Sequence, residues 1–325
     1  MTVAQNLSQL STILTAMNSP GTGPPTIARC DPSIEKEALA LAAQAWHETE
    51  RAAYWQAIGG MIRGGQRDLV VLLAAREGDR LLAAQIAQSL PGRAAAVWTP
   101  QFARVHEVEA DQITAALFEQ LTPALAVNGN HLAQALVDLN DSKAARAFTR
   151  GGFLHAADLL YLAAEIQGNE EQPKAPFELE PFTPSSSQRL VELIERTYVG
   201  TLDCPRIDGL RQTADVVTGY QAVGQFQPEL WSIARHQGTD VGCLLVNLHP
   251  DVHHAEIVYV ALVPEVRGRG WGRLLTQHAL WLACQTHSQR VVLAVDVANE
   301  PAVQMYLQIG FSAFDRRAVW INPLV

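Results

Sequence analysis

The amino-acid sequence predicts an α/β (α+β) protein built as two tandem copies of one mixed sheet flanked by helices. Three observations predict it: an internal repeat, a composition break between the copies, and an order of apolar segments that recurs on either side of the break. The segment VDLNDSKAARAFTRGGF, ending at Phe153, aligns without gaps on VDVANEPAVQMYLQIGF, ending at Phe311, at an offset of 158. Val137, Asp138, Ala144, Gly152 and Phe153 fall on Val295, Asp296, Ala302, Gly310 and Phe311, and Phe148 falls on Tyr306. The break, QGNEEQPKAPFE from Gln167 to Glu178, holds Gly, Pro and charged residues without apolar periodicity and reads as a linker. The expected divisions are an appendage over 1–25, a first copy over 26–166, a linker over 167–176 and a second copy over 177–325. In the appendage, a weak amphipathic stretch from Leu7 to Met17 runs into the loop-forming SPGTGPP.

The second copy reads more clearly. Phe177–Phe182 is expected as a strand, Gln188–Tyr198 as a helix with Leu190, Leu193 and Ile194 on one face, and Gly209–Ala222 as a second helix. Leu230–Arg235 and Val241–Leu248 flank Gln237–Asp240 like a hairpin. Glu256–Val263 is a nearly unbroken apolar run, as for a strand buried on both faces. A helix over Gly272–His287, a strand over Val291–Val297, a helix over Pro301–Ile309 and a final pair of short strands complete it. The first copy repeats the order, with strands near Leu69–Ala75, Leu81–Ser89, Ala94–Trp98 and Leu132–Leu139.

Composition narrows the function. The chain has 325 residues, 48% hydrophobic and 18% charged, enough for a sizeable core. A net charge of −9 gives no basic surplus to neutralise phosphates, so nucleic acid is not the expected partner. Cys30, Cys204, Cys243 and Cys284 lie far apart without a paired or His-flanked pattern, so no metal is expected. No apolar run is long enough for a membrane span, and the N-terminus lacks a basic start and a long apolar stretch. A cytoplasmic protein with no membrane partner is expected.

The segment that carries chemistry is EIVYVALVPEVRGRGWGRLL, from Glu256 to Leu275. A strand ends at Pro264, a loop rich in Gly and Arg follows, and a helix begins near Gly272. Glycines at 268, 270 and 272 let backbone N–H groups approach an anion, and the helix N-terminus adds unpaired donors and the positive end of its dipole. Arg267, Arg269 and Arg273 can add charge-assisted hydrogen bonds. This reads as a diphosphate site. A Rossmann loop would need glycine where Arg273 stands, and a Walker loop would need Gly-Lys-Ser/Thr.

These residues resemble the GNAT superfamily of N-acetyltransferases. The superfamily signature Q/R-x-x-G-x-G/A is met by Arg267-Gly268-Arg269-Gly270-Trp271-Gly272, with Leu262 and Pro264 in the places of its preceding V-x-P. A second signature, N-x-x-A-x-x-x-Y-x-x-x-G-F, is met by Asn299, Ala302, Tyr306, Gly310 and Phe311. The resemblance covers about 177–325, with a degenerate echo over about 26–165. It implies two tandem GNAT-like domains, each a mixed, mostly antiparallel central sheet flanked by helices.

Residue by residue, the resemblance implies that the backbone of Val260, Ala261 and Leu262 pairs with the pantetheine arm of acetyl-CoA. An N–H near Leu262 would stabilise the oxyanion. Arg267, Gly268, Arg269, Gly270, Trp271, Gly272 and Arg273 would hold the pyrophosphate, and Asn299 would contact the coenzyme. Tyr306 is the candidate general acid for the departing thiolate; read from its helical face alone, without the motif, it would be a core tyrosine with a satisfied hydroxyl. Glu256 matches the catalytic glutamate of histone-acetylating members and is the candidate base. Its alternatives are a solvated strand-end carboxylate and the neighbouring His253 and His254.

The acceptor groove of the superfamily is built from the first two helices and their loop, here TYVGTLDCPRIDGLRQTADVV. Asp203 could hold a cationic acceptor and Arg206 an anionic group, against a helix-capping Asp beside a turn proline. Cys204 has no His or Asn partner that would make it a nucleophile, and Trp231 and Trp281 read as core. The first copy lacks the cradle in TPQFARVHEVEADQIT, and Phe148 stands in place of the tyrosine. It reads as a silent brace, a layout similar to other tandem enzymes of the superfamily. The resulting expectation is direct acetyl transfer from acetyl-CoA to a small-molecule or protein amine in a ternary complex, by a monomer or a homodimer. The alternative is a non-catalytic CoA-binding or sensing module.

Overall fold

A computed structural model describes residues 25–48, 51–103 and 105–324; the appendage expected over 1–25 therefore lies, but for Pro25, outside the described residues. The chain divides into two compact units. One runs to His155 and includes 320–325; the other is Ala156–Val319. The composition break at 167–176 lies inside the second unit, not at its edge.

In unit 1, β1 (Thr26–Arg29), helices α1 (Glu35–Ala42) and α2 (Arg51–Arg63), and strands β2 (Val70–Glu77), β3 (Arg80–Leu90), β4 (Ala94–Val97) and β5 (Gln101–Phe102) precede the long helix α3 (Glu107–Val127). Strand β6 (Leu132–Asp138) and helix α4 (Ser142–Arg150) follow. The strands lie in the order β1-β2-β3-β4-β6, all antiparallel except β4 with β6, and β5 adds to β3. Asp141 caps α4, accepting from the N–H groups of Lys143 and Ala144 at 3.1 and 2.9 Å. Phe148 on α4 is buried among Phe118, Phe153 and Trp320. A phenylalanine there brings no hydroxyl, as the repeat alignment foretold.

Unit 2 opens with β7 (Leu154–Glu165, from residue 156 onward) and continues through β8 (Glu178–Pro181), α5 (Ser187–Tyr198), α6 (Thr213–Gln221), β9 (Trp231–His236) and β10 (Thr239–His249). Then come β11 (His254–Leu262), α7 (Trp271–Gln285), β12 (Arg290–Asp296), α8 (Glu300–Ile309) and β13 (Ser312–Pro323). The strands up to β12 lie in the order β7-β12-β11-β10-β9-β8, and only β11 with β12 is parallel. Trp231 is fully buried and donates to Asn247 Oδ1 at 2.8 Å. The Asn247 amide in turn donates to Tyr220 and Val223 carbonyls at 2.7 Å, so this buried polar group is satisfied. Trp231 is core, as expected, while Trp281 is half-buried beside His278.

Three expectations are corrected. The final pair of short strands is one twelve-residue strand, β13; Asp315-Arg316-Arg317, which suggests a turn, is an exposed to half-buried run on that strand whose Asp315 bonds to both arginines. The second helix starts at Thr213, because residues 203–211 form a run of turns and bends. The run Glu256–Val263 is not buried on both faces: Ala255 and Ile257 are buried, but Val258–Leu262 are half-buried. The reason is the parting of β11 from β12, described below. Among the described residues no helix is long and apolar enough to cross a membrane.

His278, on α7, is buried, and that burial holds its imidazole down at about 4. An unfolded chain takes up this proton near pH 6.5, so stability present above that value is lost as pH falls from 6.5 toward 4. Between pH 7 and pH 5 the loss from this residue should be about 2 kcal/mol. Urea melts of the wild type and His278→Leu at both pH values should show a shallower acid loss in the variant.

Candidate active site

The site begins with the neighbours of β11. On one side it pairs with β10 along its length, with a bulge at Val258: Leu245 faces Tyr259, but Val246 faces Ile257. On the other side it pairs with β12 only at His254↔Arg290, Ala255↔Val291 and Glu256↔Val292. Beyond Glu256 the two parallel strands separate. Among the described residues no strand pairs with that edge of β11, so the backbone of Val260, Ala261 and Leu262 borders an open wedge. A peptide-like arm can add there as an extra strand does.

At the open end of the wedge, Pro264–Val266 forms a 3₁₀ turn and the chain enters α7 through Gly268 and Gly270, at φ 76° and 77°. A Cβ at either glycine would meet no heavy atom within 4 Å. The protein's own packing therefore does not require glycine there; the left-handed backbone and access to the amides do. Gly272 has a different reason, since its Cβ would lie 3.4 Å from Met305 Sδ on α8. The first N–H groups of α7 have no side-chain cap.

The arginines divide by role, which the sequence did not reveal. Arg267 donates to the carbonyls of Leu262 (3.0 Å), Val199 (2.9 Å), Gly200 (3.0 Å) and Thr197 (2.6 Å). Its guanidinium fastens the loop to the end of α5 rather than standing free for an anion, which corrects the expected charge-assisted phosphate contact. Arg269 is exposed, donates to Glu265 O at 3.2 Å and lies 5.6 Å from the Trp271 ring centroid. Arg273 donates to Gln308 on α8. Trp271 packs its buried indole against Phe177 and His236, leaving only its amide for a ligand.

Tyr306 on α8 is 6% exposed, and no described residue hydrogen-bonds its hydroxyl. Burial first, and the negative charge of Asp203 second, push its phenol above the usual range, so it stays protonated. Asn299 caps α8 with its carbonyl but not its side chain. Glu256 stands at the last paired position of β11, with His249 Nε2 2.7 Å from its Oε2. His253 lies in the loop at φ 52°, and His254 opens β11 with its ring 4.6 Å from that of His249. Burial holds His254 below the ordinary imidazole range.

In the acceptor loop Asp203 caps no helix. Its Oδ1 accepts from Asp296 N–H at 2.8 Å, and Asp296 Oδ2 accepts from Cys204 N–H at 3.1 Å. Cys204 sits at φ 46°, and burial with the charges of Asp203 and Asp296 pushes its thiol up, against a nucleophilic role. Arg206 is exposed on the same loop. The sequence reading missed the tyrosines beside it. Tyr259 stacks on Tyr220 at 5.4 Å, meets Tyr198 edge-on at 6.4 Å, and shares a 2.7 Å hydrogen bond with Thr197 Oγ1. One polar aromatic inside the apolar run from Ile257 to Val263 was the available signal.

Unit 1 keeps the parting but not the cradle: β4 and β6 pair only from Ala94↔Leu132 to Ala96↔Gln134. Beyond β4, Trp98 packs against Trp46 and Tyr54, where unit 2 runs on into its glycine loop. Among the described residues no group of three or more His, Cys, Asp or Glu is placed to hold a metal ion.

Comparison with known proteins agrees with this geometry. Residues 188–311 match the Acetyltransferase (GNAT) family. A mycothiol acetyltransferase of Thermomonospora curvata is 29% identical over 34% of this chain and 37% of its own length. N-alpha-acetyltransferase 30 of Schizosaccharomyces pombe is 31% identical over 27% of this chain and 61% of its own. The match thus spans about a third of the mycothiol acetyltransferases' length. Among solved structures, a GCN5-related N-acetyltransferase from Sphaerobacter thermophilus superimposes with a TM-score of 0.57 at 14% identity, over 94% of this chain and 97% of the other. A tandem GNAT protein from the clavulanic acid biosynthesis pathway does so with 0.51 at 15%, over 93% and 99%.

The two arginine roles are separable. Arg267→Met should lower the melting temperature by several degrees and weaken coenzyme A binding together. Arg269→Met should weaken binding, by about tenfold or less, with the melting temperature unchanged. Calorimetric melts and titrations of both variants check this.

Proposed function

We propose that this chain, which carries an acetyltransferase domain of the GNAT family over residues 188–311, transfers an acetyl group from acetyl-CoA to an amine by direct attack in a ternary complex. The observation that carries the reading is the joining of an unpaired strand edge to a glycine turn whose amides are open to an anion. The backbone of Val260–Leu262 pairs with the pantetheine arm, and the amides of Gly268 to Arg273 hold the pyrophosphate with Arg269 and Arg273 supplying charge. Arg267 holds the turn in shape. Asn299 contacts the coenzyme from the head of α8.

Glu256 takes the proton of the acceptor ammonium, so that the free amine attacks the thioester carbonyl. The tetrahedral oxyanion is stabilised by a backbone N–H near Leu262. As the carbon–sulfur bond breaks, Tyr306 gives its proton to the leaving thiolate, and the excess proton shed by the acceptor nitrogen restores the phenol. A phenol kept neutral by burial is suited to that role. The first unit, which lacks the glycine turn and the tyrosine, takes no part in the transfer step, and the cytoplasm is the fitting compartment. The likeness to acetyltransferases supports the chemistry.

Coenzyme A titration should give saturable binding that Gly270→Val abolishes, because a β-branched residue opposes the left-handed backbone and covers the amides. Tyr306→Phe should lower CoA release by about 10²-fold or more while leaving coenzyme affinity intact. Glu256→Gln should lose a similar factor near neutrality and regain it as pH approaches the pKa of the acceptor amine. Binding without any Tyr306-dependent thiol release would instead mark a coenzyme-sensing module.

A further inference from the structure

Glu256, at the closed end of the wedge, shares one face of the sheet with a histidine that the transfer step leaves unused. Directly opposed residues of an antiparallel pair lie on the same face, as do residues two apart on one strand. Asn247 stands opposite Glu256 and His249 opposite His254, so all four belong to one face of β10 and β11. Asn247 identifies that face, because its amide donates to the carbonyls of Tyr220 and Val223, at and just beyond the end of α6. Tyr259 stacks on Tyr220 and shares the face, although it stands three residues beyond Glu256. The bulge at Val258 supplies the odd residue.

The His249 ring is held from three sides. Its Nε2 lies 2.7 Å from Glu256 Oε2, and the ring of His254 lies 4.6 Å away at 38°. Gly224, at φ 58° beyond α6, closes the third side. A Cβ there would come within 2.8 Å of His249 Cε1 and Nε2 and 2.5 Å of Leu248 O, so the turn has room for the imidazole only because it carries no side chain. A carboxylate that is to act as a base carries no proton and can only accept, so the proton of the 2.7 Å bond belongs to His249 Nε2. Nδ1 is then the acceptor of the ring; no described residue bonds it, and the side chain, 25% exposed, leaves it open to water. The other charged group facing the pair is Arg290, opposite His254 on β12. Burial, then the charge of His249, then that of Arg290, hold His254 below the ordinary imidazole range.

We infer that His249 is the positioning residue for the base: its Nε2–H holds Oε2 of Glu256, which keeps the carboxylate ionised and leaves Oε1 to meet the acceptor ammonium. This rests on the acetyl-transfer reading and adds a residue to it. An N–H bond to the charged form of a carboxyl favours that form, which matters on a strand where the adjacent Ala255 and Ile257 are buried. The ammonium proton passes to Oε1, and the electron pair of the broken N–H bond stays on nitrogen as the nucleophile. His249 keeps its own proton throughout, and the carboxylic acid sheds the one it received to water once the product leaves.

The test measures CoA release by the full chain from acetyl-CoA with two acceptors of similar size. Ethylamine is an ammonium at neutrality and needs a base; 2,2,2-trifluoroethylamine is largely free amine there and does not. His249→Leu should slow the ethylamine reaction by about 30-fold and the trifluoroethylamine reaction by about threefold or less. His249→Gln, which keeps an N–H donor, should restore most of the ethylamine rate. In His249→Leu the acid limb of the ethylamine profile should move to higher pH, because the ionised base has lost its bond. Coenzyme A affinity should be unchanged in both variants, and ring-nitrogen NMR of the wild type should find the His249 proton on Nε2. Equal losses with the two amines, a His249→Gln no better than His249→Leu, or a proton resting on Nδ1 would overturn the inference. A wild type that binds acetyl-CoA but acetylates neither amine would count against the acetyl-transfer reading, while the NMR result still decides whether His249 holds Glu256.

Discussion

Everything in the second unit is arranged around two parallel strands that hold together for three residues and then let go. Parallel strands normally pair until one of them ends. Here β11 and β12 separate after Glu256 and Val292 while each keeps its antiparallel partner on the far side. The bulge at Val258 turns the register of β11 against β10 at that point. The separation leaves backbone donors and acceptors beside a cleft instead of in a ladder. An edge of this kind inside a sheet invites another extended chain. The half-burial of Val258–Leu262 is its signature in the burial pattern.

A second constraint keeps that opening in shape. Arg267 gathers carbonyls from the end of β11 and from the end of α5, both of which have groups no regular ladder can satisfy. A planar guanidinium suits this because its donors fan out in one plane toward several acceptors. The loop that presents Gly268 and Gly270 is thus tied to the helix that leads into the acceptor loop. A matching tie joins the loop to the end of β12: Asp203 Oδ1 accepts from Asp296 N–H, and Asp296 Oδ2 accepts from Cys204 N–H. The cleft is framed by polar side chains that hold main chain.

Much of this was legible in the sequence, for identifiable reasons. The repeat, the element order and the glycine turn are local patterns, and local patterns survive in one dimension. Tyr306 could be placed on an inward face because helical period fixes direction. The sequence could not show which arginine is spent on the carbonyls of α5, since Arg267, Arg269 and Arg273 look alike until that helix is brought beside them. Nor could it show the cluster of Tyr198, Tyr220 and Tyr259, which come from α5, α6 and β11 and meet only in three dimensions. The single long last strand was not legible, because the hydrogen bonds of Asp315 to Arg316 and Arg317 exist only in the folded chain.

The unit boundaries carry a consequence for how the chain is made. Residues 156–165, translated before the composition break, supply the strand that covers β12, whereas residues 320–325 are counted with the first unit. On a ribosome, the last segment of the first unit therefore emerges only after the whole of the second, so the order in which residues are made is not the order in which the units' segments are grouped.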